Sequence, residues 1–133
     1  MERKTILILD NDRDFLKELD ETLTLSGYDL MAVEDPQEAL KIAKQNKIDL
    51  ILVDLKMPKK TGFEVAYEVS RSSHLNHIPI VAMTGFYTEE YDELFNYCCI
   101  SRCLKKPFRP LDVINLIEEV LSINLNEKLN VGR

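Results

Sequence analysis

The apolar run Leu50-Ile51-Leu52-Val53 contains no polar residue before Asp54, and Pro58 follows shortly after. An unbroken apolar stretch of strand length has both faces buried, as in a parallel sheet covered by helices, whereas a half-solvated strand alternates apolar and polar residues. Pro58 cannot donate to a strand ladder, so the strand must end before it. The run therefore predicts a central strand that delivers Asp54 to its carboxyl end, the edge at which open α/β sheets place their sites.

The same pattern recurs along the chain. Thr5-Ile6-Leu7-Ile8-Leu9 is a buried strand ending in Asp10-Asn11-Asp12-Arg13-Asp14. A first helix follows, with Asp12 or Asp14 as N-cap, Phe15, Leu16, Leu19 and Leu23 at helical spacing, and Gly27 as its terminator. Leu30 to Val33 makes a short second strand after Tyr28, and Asp35-Pro36 opens a second helix that turns Ala39, Leu40 and Ala43 inward. Thr61-Gly62-Phe63-Glu64 begins a third helix whose apolar stripe is Phe63, Ala66 and Val69 and which fades before the loop residues His74 and His77. Residues 78–85 form a fourth buried strand ending at Thr84-Gly85. Thr88-Glu89-Glu90 caps a weaker fourth helix, and residues 103–108 are a short fifth strand closing on Lys106. Pro110 starts a last helix bearing Val113, Ile114, Ile117, Val120 and Leu121. Alternating strands and helices with short connections predict a doubly wound α/β sheet with helices on both faces.

At 133 residues and 45% apolar content, the expectation is one domain over residues 1–123 and a polar, fraying tail over 124–133. A net charge of -6 and the lack of any Lys/Arg run argue against an electrostatic grip on nucleic acid. No apolar run approaches membrane-spanning length, and no signal-peptide core follows Met1, so a soluble cytoplasmic protein without membrane contact is expected. The three cysteines, Cys98, Cys99 and Cys103, are too few and too crowded for a disulfide framework. Their spacing is not a familiar zinc pattern, although His74 and His77 could add ligands if the fold joined the two segments, and they read as small apolar residues.

Four strand ends thus converge on one edge, bringing Asp10 with Asn11 and Asp12, then Asp54, Thr84 and Lys106. Carboxylates in oxygen-rich loops suit Mg²⁺, which takes one or two protein carboxylates and keeps waters and a phosphate oxygen. A carboxylate can also accept a phosphoryl group while a metal, an ammonium and a hydroxyl neutralise its oxygens.

This ordered set resembles the receiver domain of two-component response regulators over nearly the whole chain. The matching residues are the pair Asp10-Asn11, the stretch Asp54-Leu55-Lys56-Met57-Pro58, Gly62, Thr84, and Lys106-Pro107-Phe108. The resemblance implies a flavodoxin-like five-stranded sheet in the order 2-1-3-4-5 and Asp54 as phospho-acceptor, with Thr84 and Lys106 completing the response. It implies Mg²⁺ held by Asp10, Asn11, Asp54 and the backbone carbonyl of Lys56. It implies a histidine kinase or phosphotransfer protein as donor. Output to an effector protein, or to a second copy of the chain, would run through the fourth helix, fifth strand and fifth helix. Since the chain stops soon after that helix, no attached effector domain is expected, and the protein reads as a signalling domain, its chemistry confined to its own phosphorylation and dephosphorylation.

Three departures accompany the resemblance. Asn11 stands where a second acid usually touches the metal, which implies weaker Mg²⁺ binding. Cys103 stands where an aromatic usually changes rotamer with the Thr, and Cys99-Ile100 replaces the common Gly-Ala. Two other readings use the same residues. One is a receiver-fold interaction module that works without phosphorylation. The other is a phosphatase similar to the haloacid dehalogenases, with Asp10 of Asp10-Asn11-Asp12 as nucleophile, but the acids beyond Lys106 lie only in the last helix or tail.

Overall fold

The computed structural model of the chain describes residues 3–55 and 61–131. Among these, strands β1 (Lys4–Leu9), β2 (Tyr28–Val33), β3 (Leu50–Asp54), β4 (Ile80–Thr84) and β5 (Ile100–Lys105) alternate with helices. The helices are α1 (Arg13–Leu25), α2 (Pro36–Gln45), α3 (Thr61–Arg71), α4 (Glu90–Tyr97) and α5 (Pro110–Val131). The strands form one parallel sheet in the order β2-β1-β3-β4-β5, the doubly wound arrangement expected from the sequence.

The pleat sorts the core into two layers. Leu7, Leu9, Ile51, Val53, Ile80 and Ala82 pack with α2, α3 and α4. Their neighbours Ile6, Ile8, Leu50, Leu52, Val81 and Met83 pack with α1 and α5. Successive side chains point to opposite faces, so a strand covered on both sides is apolar up to its carboxyl end, and every residue of β3 and β4 is buried, including the closing Asp54 and Thr84. Each such Val, Leu or Ile removed from water contributes about 1.5–3 kcal/mol.

The helix ends follow local chemistry. Asp12 caps α1 by accepting from the Phe15 N–H at 3.1 Å, and after the C-cap Ser26 the chain leaves through Gly27 at φ +94°, a left-handed conformation that a Cβ would disfavour. Asp35 and Pro36 open α2 as expected, although the Asp35 side chain makes no capping bond.

The structure departs from several of the expected boundaries. β5 begins at Ile100 rather than 103 and ends at Lys105. Polar Ser101 and Arg102 interrupt the apolar pattern there, yet β5 is an edge strand, which tolerates polar residues. A register shift between Ile80 and Val81 leaves Ser101 as the additional residue, and its hydroxyl donates to the Ile80 carbonyl at 3.1 Å. Arg102 pairs with Glu119 of α5 at 3.0 Å. Thr88 does not cap α4, since the N-cap position is Glu89, without a side-chain bond. Helix α5 runs to Val131, so no helix end marks position 124. Leu121, Leu125 and Leu129 continue at i, i+4 spacing and no breaker precedes Gly132. Finally, Val65 and Leu116 join the expected apolar stripes as buried residues. Among the described residues no helix is long and apolar enough to cross a membrane.

Candidate functional site

β1 and β3 are neighbours with Leu9 level with Val53, so the residue after each stands at the same edge of the sheet. Asp10 and Asp54 share the pleat parity of Ile6 and Ile8 and of Leu50 and Leu52, which directs both toward the α1/α5 side. Asp10 is fully buried and Asp54 is 3% exposed. Two acids in such surroundings require a counter-charge, and Lys106 supplies it. Its Nζ lies 3.4 Å from Asp10 Oδ2 and 3.4 Å from Asp54 Oδ2.

Backbone contacts hold this lysine at the site. The Lys106 N–H donates to the Thr84 carbonyl at 2.7 Å, and the additional residue at Ser101 sets the register in which Lys105 pairs with Thr84. The Lys106 ammonium also lies 5.3 Å from the centre of the Phe15 ring, which meets Phe108 edge-on at 5.4 Å. Asp12, Phe15, Lys106, Pro107 and Phe108 line a cleft of about 340 Å³ beside the carboxylates. A larger cavity of about 470 Å³, lined by Lys4, Tyr28, Asp49, His77 and Glu118 among others, includes none of these residues.

Burial raises the pKa of Asp10 above the ordinary carboxylate value, opposed by the Asp12 N–H that donates to its Oδ1 at 2.9 Å and reinforced by the charge of Asp54, with Lys106 pulling it back. Asp10 is thus a carboxylate short of positive charge. The donor set of two acids with the amide of exposed Asn11 alongside is made of hard oxygens and fits Mg²⁺, which needs few protein carboxylates. Asp12, a further acid close to Asp10 in the sequence, is engaged as the α1 N-cap. That engagement also weighs against a role for Asp12 as the second acid of a dehalogenase-type site.

Thr84 is 2% exposed and has the pleat parity of Ile80 and Ala82, on the α4 side of the sheet. Its hydroxyl donates to the Phe86 carbonyl and accepts from the Phe86 N–H, both at 3.1 Å. Lys56, expected as a carbonyl ligand, lies outside the described residues with Met57 and Pro58. The cysteines separate into buried Cys98, exposed Cys99 and partly buried Cys103, and no group of three or more metal-ligating His, Cys, Asp or Glu side chains forms among the described residues.

Two contributors, Phe15 and Phe86, had no individual signal in the sequence, whereas Gly62 was among the residues that carry the resemblance. Phe15 read as a core residue of α1, yet its ring receives the Lys106 ammonium. Phe86 serves the site through its backbone. Gly62 fits where a side chain would not, because a Cβ there would lie 2.7 Å from the Asp54 carbonyl oxygen.

Comparison with known proteins agrees with the fold. A sequence model of the family described as "Response regulator receiver domain" matches residues 6–118. The chain is 28% identical over 119 residues to the polar-differentiation response regulator DivK of Brucella anthropi, covering 90% of this chain and 94% of that protein. It is 32% identical over 119 residues to the alkaline phosphatase synthesis transcriptional regulatory protein PhoP of Bacillus subtilis, covering 89% of this chain but 48% of PhoP. Among solved structures, the chemotaxis protein CheY4 of Vibrio cholerae superposes with a TM-score of 0.83 at 27% identity, covering 90% of this chain and 99% of that one.

Proposed function

The chain belongs to the response regulator receiver domains of two-component systems, and from that premise we propose that Asp54 accepts a phosphoryl group from a histidine kinase or phosphotransfer protein. The observation that carries this reading is the single Lys106 ammonium held 3.4 Å from both Asp10 and Asp54 at the carboxyl edge of the sheet. An Asp54 carboxylate oxygen attacks phosphorus of a phosphohistidine. The new O–P bond makes an acyl phosphate as the N–P bond breaks, and the imidazole leaves with the bonding pair and takes a proton from water. Lys106 then faces a group carrying about -1.5 to -2 charges, for which an ammonium is a strong partner.

Asp10, Asp54 and the Asn11 amide oxygen would hold Mg²⁺, with the Lys56 carbonyl as a further ligand. When bound, the ion neutralises the phosphoryl oxygens in the loose transition state of transfer. With Asn11 in place of an acid, the site holds the ion less tightly than a three-carboxylate site. The protein works in the cytoplasm as a signalling domain whose chemistry is its own phosphorylation and dephosphorylation. Output passes to a protein partner, an effector or a second copy, through α4, β5 and α5, where Tyr97 of α4 is 57% exposed and Phe86, in the segment leading into α4, is 75% exposed.

The test is incorporation of phosphate from a small phosphoryl donor, with and without Mg²⁺, in the wild type and in Asp54→Asn. Mg²⁺-dependent incorporation that Asp54→Asn abolishes is expected. A folded wild type that never incorporates phosphate would instead be a phosphorylation-independent interaction module.

A further inference from the structure

The segment between β4 and α4 joins the site to the α4–β5 face, and its contacts single out one residue. At its start, the Thr84 hydroxyl is bracketed by the Phe86 backbone, donating to the carbonyl and accepting from the N–H. A hydroxyl has one proton to donate. Drawing it to a new acceptor at Asp54 must therefore release the Phe86 carbonyl and loosen the bracket.

The residue next to Phe86 is Tyr87, a half-buried residue whose ring and hydroxyl contact side chains of α4 and β5. The Lys105 ammonium of β5 lies 4.8 Å from its centre. Tyr91 meets it edge-on at 6.3 Å and Phe95 lies at 6.2 Å, both from α4. Its hydroxyl donates to Asp92, in the first turn of α4, and this bond pushes the phenol up to about 12, so it stays protonated at neutral pH. Tyr91 and Phe95 continue the contact inward to Phe63 of α3, at 5.3 and 6.0 Å.

The same segment contains a second, independent sign of an alternative arrangement. The Thr88 hydroxyl is buried without a hydrogen-bond partner among the described residues, one residue before the α4 N-cap Glu89, whose side chain makes no capping bond. Buried polar groups are normally satisfied, so an orphan at an uncapped helix end marks a conformation that a small shift would improve.

From these contacts we infer that Tyr87 is a positioning residue that carries the state of the Thr84 hydroxyl to α4 and β5, its ring moving as a rigid lever when the Phe86 bracket opens. This deepens the proposed function and rests on it. Transmission through a ring needs only that the ring be packed in both states, so the aromatic surface rather than the phenol hydroxyl is the essential part.

The experiment compares amide spectra before and after adding Mg²⁺ and beryllofluoride, a phosphoryl mimic, in the wild type, Tyr87→Ala and Tyr87→Phe. In the wild type, amides of residues 10–12, 54–55 and 84 should shift together with those of residues 90–105. In Tyr87→Ala the first group should shift as in the wild type while the changes at residues 90–105 shrink at least threefold. Tyr87→Phe should restore them to within twofold of the wild type. A Tyr87→Ala protein whose α4 and β5 amides respond fully would overturn the inference, as would a Tyr87→Phe protein as silent as Tyr87→Ala. If the wild-type site amides do not respond to the mimic, the phospho-acceptor reading fails and this inference falls with it.

Discussion

Gly62 packs so closely beneath the end of β3 that a Cβ at position 62 would lie 2.7 Å from the Asp54 carbonyl oxygen and 3.0 Å from a Leu55 methyl. The obstacle is backbone, which cannot swing aside as the end of a side chain can. Gly62→Ala should therefore displace the start of α3 or the end of β3, at about 1–3 kcal/mol of stability. Urea denaturation measures the loss, and unchanged stability would show that the two segments separate easily.

The Asp10 carboxyl titrates above its ordinary value because burial disfavours its charge. Its folded pKa exceeds its unfolded pKa, so between the two the folded state binds more protons and stability falls as pH rises through that window, which opens at the ordinary value of 3.8. Ionised Asp10 thus strains the fold at neutral pH. Asp10→Asn keeps an oxygen for the Asp12 N–H and should stabilise the protein by about 0.5–2 kcal/mol at pH 7, a typical gain where function opposes stability. It should flatten the pH dependence above 3.8 and weaken Mg²⁺ binding. A destabilised Asp10→Asn protein at pH 7 would contradict this.

Lys106 bridges two buried acids and so contributes to stability, besides the response role proposed for it. Lys106→Ala should remain folded but lose about 1–3 kcal/mol at pH 7, the cost of leaving buried polar groups unsatisfied. The loss should narrow as pH falls and Asp10, whose carboxyl titrates above its ordinary value, protonates, and millimolar Mg²⁺ should recover part of it. Thermal melts at two pH values with and without Mg²⁺ would show this. A loss independent of both pH and metal would mean that the lysine acts only through packing.

The capping bond from Asp12 to Phe15 separates the roles of the two residues after Asp10. Asp12→Ala should cost about 1 kcal/mol of stability with Mg²⁺ affinity unchanged. Asn11→Asp adds a charge to the crevice; at about 4 Å and an intermediate dielectric this amounts to roughly 1–4 kcal/mol, of which an open site realises the lower part. Mg²⁺ should bind about tenfold tighter, since ~1.4 kcal/mol is a factor of ten. Metal titrations that show Asp12→Ala losing Mg²⁺ and Asn11→Asp gaining none would make Asp12 the ligand.

The fold was legible where burial on both faces forces unbroken apolar runs, as in Leu50 to Val53. It was not legible at β5, where edge exposure admits Ser101 and Arg102 and a bulge shifts the register by one residue. Nor was it legible at α5, where polar composition suggested a tail although no helix breaker precedes Gly132. In the site, Asp10, Asp54 and Lys106 could be placed because strand ends converge at one edge. The Thr84–Phe86 bracket and the seating of Tyr87 depend on loop backbone and ring packing, which have no periodic signature. Thr88 shows the converse, since a residue type suited to capping is present but its hydroxyl is orphaned.

The central claim concerns which carboxylate takes the phosphoryl group, and it is tested most directly by locating the adduct. After incubation with Mg²⁺ and a small phosphoryl donor, borohydride reduction converts an aspartyl phosphate to homoserine, which peptide mass mapping places in the sequence. Conversion at Asp54 alone, absent in Asp54→Asn and without Mg²⁺, is the expected result. Conversion at Asp10, or undiminished labelling in Asp54→Asn, would contradict it.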